Sequence, residues 1–398
     1  MNSRFIGSIF LIIGTTIGAG MLSLPLIVAA CGFTTAIILL VLSWSVMYIT
    51  ALRLLDVCVQ HPIGVNFTTM IWSRAPKIYL VFFSIIYLLL LYSLLSAYTT
   101  QGSSLISMLG GVEHQSSKSQ VGISAIVFIL IFGALVFSYR ASDYTNRVFV
   151  ILKFMFFIIA MVIMLFYINM NYLGDEPAGV SAIIFAWPTL LPAFGFHNII
   201  PVIYEYQKGD VKSIRRSIFI GSVSVLTVYV IWVFISLGLV PQHGSFSYHE
   251  LFVSGNNTPS GLVNAIRTIS GSDTLEIALN LFIHIAVITS FIGVGISLMH
   301  YIRDLFTKNN KQISSWVLAL ICFVPPLIFT VFYPQGFILA LEYAAIFAVI
   351  IFVYTPAFLT VRRDLKVYFS HTYVVSMGSA VILFEIFNLC FNINPFLS

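Results

Sequence analysis

Long apolar blocks, separated by short polar or basic breaks, run the length of this chain. They fall at roughly 5–31, 33–57, 78–107, 121–139, 147–171, 180–206, 214–240, 276–304, 313–333, 336–360 and 371–392. A helix that crosses a bilayer needs about 20 consecutive apolar residues. The pattern therefore predicts eleven spanning helices.

Two of these blocks are interrupted. The first contains GTTIGAGMLSLP, from Gly14 to Pro25, with Gly14, Gly18 and Gly20 near its centre. Each glycine costs a helix about 1 kcal/mol against alanine. Within lipid, unwound backbone is tolerated only where protein buries it or a water-filled cavity receives it. Gly14 and Gly18 also have the small-xxx-small spacing of close helix packing, so this stretch alone leaves packing and interruption both open. The sixth block, Ala182 to Tyr206, carries Pro188, Pro192, Gly195 and Pro201, with its centre near Ala193 and Phe194. Proline removes a backbone donor and clashes with the preceding turn. Five spans separate the two interruptions, and a unit of five crosses the membrane in opposite senses at its two copies. That is the sequence pointer to an inverted-repeat transporter with its site at the midplane.

Composition agrees with the blocks. Of 398 residues, 59% are hydrophobic and 8% charged, with a mean hydropathy of +1.01. A soluble domain carries about 25% charged residues, so a polytopic membrane protein is expected. The net charge of +5 does not mark a nucleic-acid surface, because the basic residues are sorted by side. Arg4, Arg53, Arg74, Lys77, Arg140, Arg147, Lys153, Lys208, Lys212, Arg215, Arg216, Arg303, Lys308, Lys311, Arg362, Arg363 and Lys366 share one side of the eleven-span arrangement; Lys118 and Arg267 take the other. Basic residues collect in the cytoplasm, which puts the N-terminus inside and the C-terminus outside. Val28-Ala29-Ala30-Cys31 has the look of a lipoprotein cleavage site, but the run before it is longer than a signal-peptide core; a retained helix is expected. An apolar piece of the longest external segment, Leu251 to Ile269, is expected to form a surface helix.

Cys31, Cys58, Cys322 and Cys390 are isolated, and the eight histidines are dispersed. Neither set has metal or nucleophile spacing. No cofactor and no metal are expected. An integral-membrane enzyme is the competing class, and the missing motif counts against it.

The stretches GTTIGAGMLSLP at 14–25, FGFHNIIP at 194–201 and PPLIFTVFYPQGFILALEYA at 325–344 resemble the hydroxy and aromatic amino acid permease family. The resemblance runs over essentially the whole chain. It implies an all-α integral membrane protein with a leucine-transporter-type fold. Residues 1–173 would form the first five-helix repeat, 174–362 the second, inverted one, and 363–398 an added eleventh helix. It also implies proton-coupled import of an aromatic amino acid across the bacterial inner membrane. Tyrosine comes first; tryptophan, or a hydroxy amino acid such as serine or threonine, is the alternative. The partners expected are therefore the amino acid, the proton and the bilayer. The sequence does not set the oligomeric state.

On that implication the candidate binding residues follow the two interruptions. Backbone N–H groups around Gly18, Ala19 and Gly20 face the substrate carboxylate, and the Thr15 and Thr16 hydroxyls add donors. Carbonyls near Ile13, Gly14 and Ala193 take the ammonium. Phe194 or Phe196 stacks on an aromatic ring, and Gly195 leaves room. His197 and Asn198 bond a phenol or help the backbone turn. Tyr92 and Ser93, and Thr289 and Ser290, are polar islands at the same depth in spans three and eight.

For coupling, Lys153 in span five and Glu342 in span ten are intramembrane charges, which point to function by their cost. The resemblance implies that a span-five lysine takes the place of the sodium ion of sodium-driven relatives, beside Thr289 and Ser290. Lysine can also snorkel to the rim, and Glu342 can sit at the outer rim. Glu205 with Lys208 is expected as a cytoplasmic gate pair. Glu385 receives no role.

Overall fold

The computed structural model describes residues 3–63, 70, 77–111, 117–137, 139–174, 179–308, 313–360, 365–391, 393 and 396. Among them there are helices and connections and no strand. The α-helices, in chain order, are α1 Ser3–Thr16, α2 Leu24–Val28, α3 Gly32–Cys58, α4 Lys77–Leu109, α5 Lys118–Val136, α6 Tyr139–Met164, α7 Val180–Leu190, α8 Ile200–Tyr206, α9 Val211–Leu239, α10 Tyr248–Val253, α11 Pro259–Ser270, α12 Asp273–Lys308, α13 Ser315–Phe332, α14 Phe337–Ala348, α15 Thr355–Leu359 and α16 Leu365–Phe391.

Ten helical stretches among the described residues are long and apolar enough to cross a membrane. The sequence pattern predicted eleven. The difference lies at the N-terminus. There α1 is 14 residues long, about 21 Å at 1.5 Å per residue, short of the roughly 30 Å of hydrocarbon. The next stretch, Ala19–Cys58, runs on for 40 residues. It is not one straight helix, because 3₁₀ turns at Ala19–Ser23 and Ala29–Cys31 flank α2 and Gly32 takes φ 69°. Glycine reaches that left-handed region without the steric cost of a side chain.

Packing divides the chain into two compact units. One holds residues 1–87, 170–237 and 345–398; the other holds 88–169 and 238–344. These units group elements by contact and not by internal symmetry, so they are a different division of the chain from the five-helix repeats expected from the sequence.

The first unit contains both interruptions. Its core gathers Ile12 of α1, Leu54, Leu55 and Cys58 of α3, Phe196, Ile200 and Ile203 around α8, and Ile214 and Ile218 of α9. Arg53 is 5% exposed, and its guanidinium donates to Thr360 Oγ1 at 3.1 Å and Ser370 Oγ at 2.6 Å. The basic-residue tally placed Arg53 with the loop charges; its buried side chain instead joins α3 to the end of α15 and to α16. Arg74, Lys311, Arg362 and Arg363 of the same tally lie outside the described residues, as do the side chains of Lys77, Arg140, Arg147, Lys308 and Lys366.

A π-helical turn, Val349–Tyr354, joins α14 to α15. Pro356 explains it. Proline has no N–H to give to the carbonyl four residues back, and the ladder widens by one residue. The Thr355 N–H and hydroxyl both turn to the Ile350 carbonyl. The wider turn carries Phe352.

In the second unit α6 packs along α12. Phe128, Phe291 and Phe323 form an aromatic cluster, with Phe128 edge-on to Phe291 at 4.9 Å and Phe291 stacked on Phe323 at 5.7 Å. The segment after α9 forms two short helices rather than the one expected over 251–269. Ser247 and Thr258 cap their N-termini, accepting from Glu250 N and Gly261 N. Gly255, at φ 68°, turns the chain between them. Arg267 pairs with Asp273 and Glu276 at 3.3 and 2.9 Å.

Candidate functional site

The first interruption is short. α1 ends at Thr16 and the chain leaves the helix at Ile17 and Gly18. Gly18 is extended, at φ −130° and ψ −158°. Its N–H bends back to the Thr16 carbonyl at 2.9 Å, and its own carbonyl accepts from Met21 N at 3.2 Å, opening the 3₁₀ turn. The amide of Gly20 precedes that first bond and stands at the N-terminal end of the turn, where 3₁₀ geometry gives it no acceptor within the turn. A Cβ added to Gly14 or Gly20 would meet nothing within 4 Å. Gly14 therefore does not serve the close helix packing that its spacing to Gly18 allowed.

The second interruption is longer. Four breakers were expected in this span, but two of them lie within helices. Pro188 lies inside α7, and Pro201 lies in the first turn of α8, where no intrahelical N–H is needed. The helix is lost from Leu191 to Ile199. Two 3₁₀ turns, Pro192–Phe194 and His197–Ile199, flank Gly195. A Cβ on Gly195 would come within 2.9 Å of the Pro192 carbonyl oxygen and 3.4 Å of the Phe352 ring, so this glycine is required by close approach.

The two interruptions meet at one side chain. The Tyr229 hydroxyl of α9 donates to the carbonyls of Thr16 and of Ala193, each at 2.8 Å. Its ring packs on Phe194, with centroids 5.1 Å apart. One turn on, the Trp232 indole N–H donates to the Met21 carbonyl at 3.0 Å. Sequence reasoning did not single out either residue. The available signal was two aromatics with polar tips three residues apart in an apolar helix, since buried Tyr and Trp usually find a partner.

The predicted residues of this unit divide by exposure. Thr15 and Asn198 are exposed, and Gly14, Gly18, Gly20 and Gly195 are half-buried. Ala19, Thr16, Phe194, Phe196 and His197 are buried. The Thr16 hydroxyl donates back to the Ile12 carbonyl at 2.6 Å, so its proton is held by its own helix. His197 is stacked between Phe196 and Phe352, with centroids at 5.6 and 5.0 Å. Its Nε2 lies 2.9 Å from Thr50 Oγ1. That hydroxyl has carbonyl acceptors at Val46 and Met47, which makes Nε2 the donor and leaves Nδ1 a bare acceptor without a partner among the described residues. Glu205 and Lys208 are both exposed, and among the described residues they form no ion pair; the Lys208 N–H instead donates to the Glu205 carbonyl.

The other predicted residues belong to the second unit. Lys153 of α6 is 2% exposed, with its ammonium 5.6 Å from the Phe154 ring centroid. Glu342 of α14 and Thr289 of α12 are also buried. The Thr289 hydroxyl donates to its own helix at the Ala286 carbonyl. Ser290 hydrogen-bonds Tyr98, and Tyr92 donates to the Ile321 carbonyl at 2.8 Å. Ser93 is half-buried on α4. Among the described residues no cluster of His, Cys, Asp and Glu could hold a metal.

Comparison with known proteins places this geometry. The model of the tryptophan/tyrosine permease family matches residues 1–394. The chain is 34% identical to the tyrosine-specific transport system 1 of Haemophilus influenzae, over 86% of this chain and 84% of that protein. It is 29% identical to the tryptophan-specific transport protein of the same organism, over 98% and 95%. It is 30% identical to the low affinity tryptophan permease of Escherichia coli K12, over 92% and 88%. A match over nearly the full length, on a chain of membrane-length helices with two joined interruptions, means that this protein belongs to the tryptophan/tyrosine permease family and is a multi-pass membrane transporter.

Proposed function

We propose that this protein imports an aromatic amino acid, tyrosine first, by proton symport across the bacterial inner membrane. One observation carries the reading: two helix interruptions in one compact unit, joined at the carbonyls they release by Tyr229. A zwitterion needs donors for its carboxylate and acceptors for its ammonium, and broken helix ends supply both. The amide end of the turn around Gly20 serves the carboxylate, while the Gly18 N–H, held by the Thr16 carbonyl, shapes the turn that presents it. The carbonyls at Ile13, Gly14 and Ala193 serve the ammonium. The space beside Gly14 and Gly20 supports this reading.

The finer architecture belongs to the same proposal. α1 with the turns through Cys31 makes one interrupted crossing and α3 the second, which brings the count to eleven. The fold is of the leucine-transporter type, with residues 1–173 and 174–362 as inverted repeats and 363–398 as the added helix. The N-terminus is cytoplasmic and the C-terminus periplasmic. Lys153 carries the coupling proton, assisted by Thr289 and Ser290, with Glu342 as a second carrier. The cost of burying a lysine, seen at 2% exposure, supports the choice of Lys153. Tryptophan is the second substrate reading, because relatives named for tryptophan match over about as much of the chain.

The test is uptake of labelled tyrosine into proteoliposomes under an inward proton gradient without sodium. Accumulation that collapses with a protonophore, and is competed by unlabelled tyrosine but not by serine, is expected. Competition chiefly by tryptophan changes the substrate and keeps the mechanism. Folded protein that accumulates no amino acid removes the proposal.

A further inference from the structure

The Tyr229 hydroxyl stands 2.8 Å from the Thr16 carbonyl and 2.8 Å from the Ala193 carbonyl. The two oxygens are therefore no more than twice that distance apart. Thr16 ends α1 and Ala193 lies in the 3₁₀ turn that follows α7, and the hydroxyl has a single proton to give to them. The two carbonyls have four lone pairs between them; the Gly18 N–H takes one at Thr16 and the single Tyr229 proton a second, so two remain for a further donor. A substrate ammonium, with three protons, forms bonds of this same length and fits a pair of oxygens held at this separation. The arrangement is held from several sides. The Tyr229 residue is 0% exposed, its ring lies on Phe194, and Trp232 fixes the same helix to Met21 just past the first interruption.

We propose that Tyr229 is the positioning residue of the amino acid site, its hydroxyl setting the spacing of the Thr16 and Ala193 carbonyls so that both interruptions receive the substrate ammonium as one acceptor pair. This rests on the amino acid site proposed above. Tyr229 does not itself bind the substrate. It acts through the two carbonyls, and its loss is felt in affinity before rate.

The experiment is tyrosine uptake by Tyr229→Phe in proteoliposomes, beside wild type, with thermal unfolding of both in detergent. Phenylalanine keeps the ring against Phe194 and removes only the hydroxyl. A KM raised about tenfold, with Vmax within about twofold and an unchanged melting temperature, is expected; tenfold corresponds to about 1.4 kcal/mol. An unchanged KM overturns the inference. So does a parallel loss of KM, Vmax and melting temperature, which is the mark of a purely structural role. If the Phe variant does not fold, 3-fluorotyrosine at position 229 supplies a more acidic donor of nearly the same shape. KM should then move by about twofold, and an unmoved KM overturns the inference. Wild-type uptake separates the two claims. If wild type accumulates no aromatic amino acid, the site reading fails; if it does and KM ignores the hydroxyl, only the role of Tyr229 fails.

Discussion

The two interruptions differ in what their glycines are for. At the first, a side chain on Gly14 or Gly20 would meet no atom within 4 Å. At the second, a side chain on Gly195 would strike the Pro192 carbonyl and press on Phe352. The first is open and thin, two residues between helical turns. The second is crowded, closed by 3₁₀ bonds and by a histidine stacked between two phenylalanines. Glycine thus marks two physical situations under one letter. In the first it keeps space clear. In the second it lets backbone and ring approach. The crowded interruption gives the rigid wall against which the open one is held, and Tyr229 joins them.

The comparison can be broken by substitution. The largest effect is expected at His197→Ala, which removes a fully buried ring from between Phe196 and Phe352. Thermal unfolding in detergent should show a loss of about 3 kcal/mol, in the range of large-to-small core changes; a loss below about 1 kcal/mol would mean that the second interruption is not the rigid one. Gly195→Ala comes next. Its Cβ cannot be placed without moving the Pro192 carbonyl, so about 2 kcal/mol of destabilisation is expected, with transport falling alongside. Thr50→Val deletes the acceptor of His197 Nε2–H. About 1–2 kcal/mol is expected from an unsatisfied buried donor, and Thr50→Ser should restore most of it. Gly14→Ala is the smallest in stability and opposite in sign. Alanine favours the helix by up to about 1 kcal/mol, so the melting temperature should hold or rise. If the clear space beside Gly14 receives substrate, KM for tyrosine should nonetheless increase severalfold. A Gly14→Ala protein with unaltered KM would show that the space is not used.

Much of the fold was legible because its signals are local. Runs of apolar residues mark crossings whatever lies around them, and the helix is lost near Gly18 and Gly195, beside the centres read from the sequence. The crossing count was less secure at the N-terminus, where the chain packs two short helices and two 3₁₀ turns into the length of one span. Counting proline in span six overstated the damage, since Pro201 sits in the first turn of a helix. The reverse holds for Pro356, which reads as an ordinary helix end in sequence and produces the π turn that carries Phe352 to His197.

The residues missed were those whose role depends on distant partners. Arg53 reads as a loop charge at the end of its span; its acceptors, Thr360 and Ser370, lie more than 300 residues away in the chain. Tyr229 and Trp232 read as two aromatics among many.

By itself, the sequence determined the membrane-crossing helices, the sorting of most basic residues into breaks between them, and the places where two helices fail. These follow from hydrocarbon thickness, side-chain polarity and the backbone chemistry of glycine and proline, all short-range properties. Tertiary structure alone decided which glycines are open and which are pressed, which charges are buried, and which side chain satisfies the carbonyls that the interruptions release. Those outcomes depend on atoms brought together from across the chain, and a hydrogen bond of 2.8 Å leaves no trace in the spacing of letters.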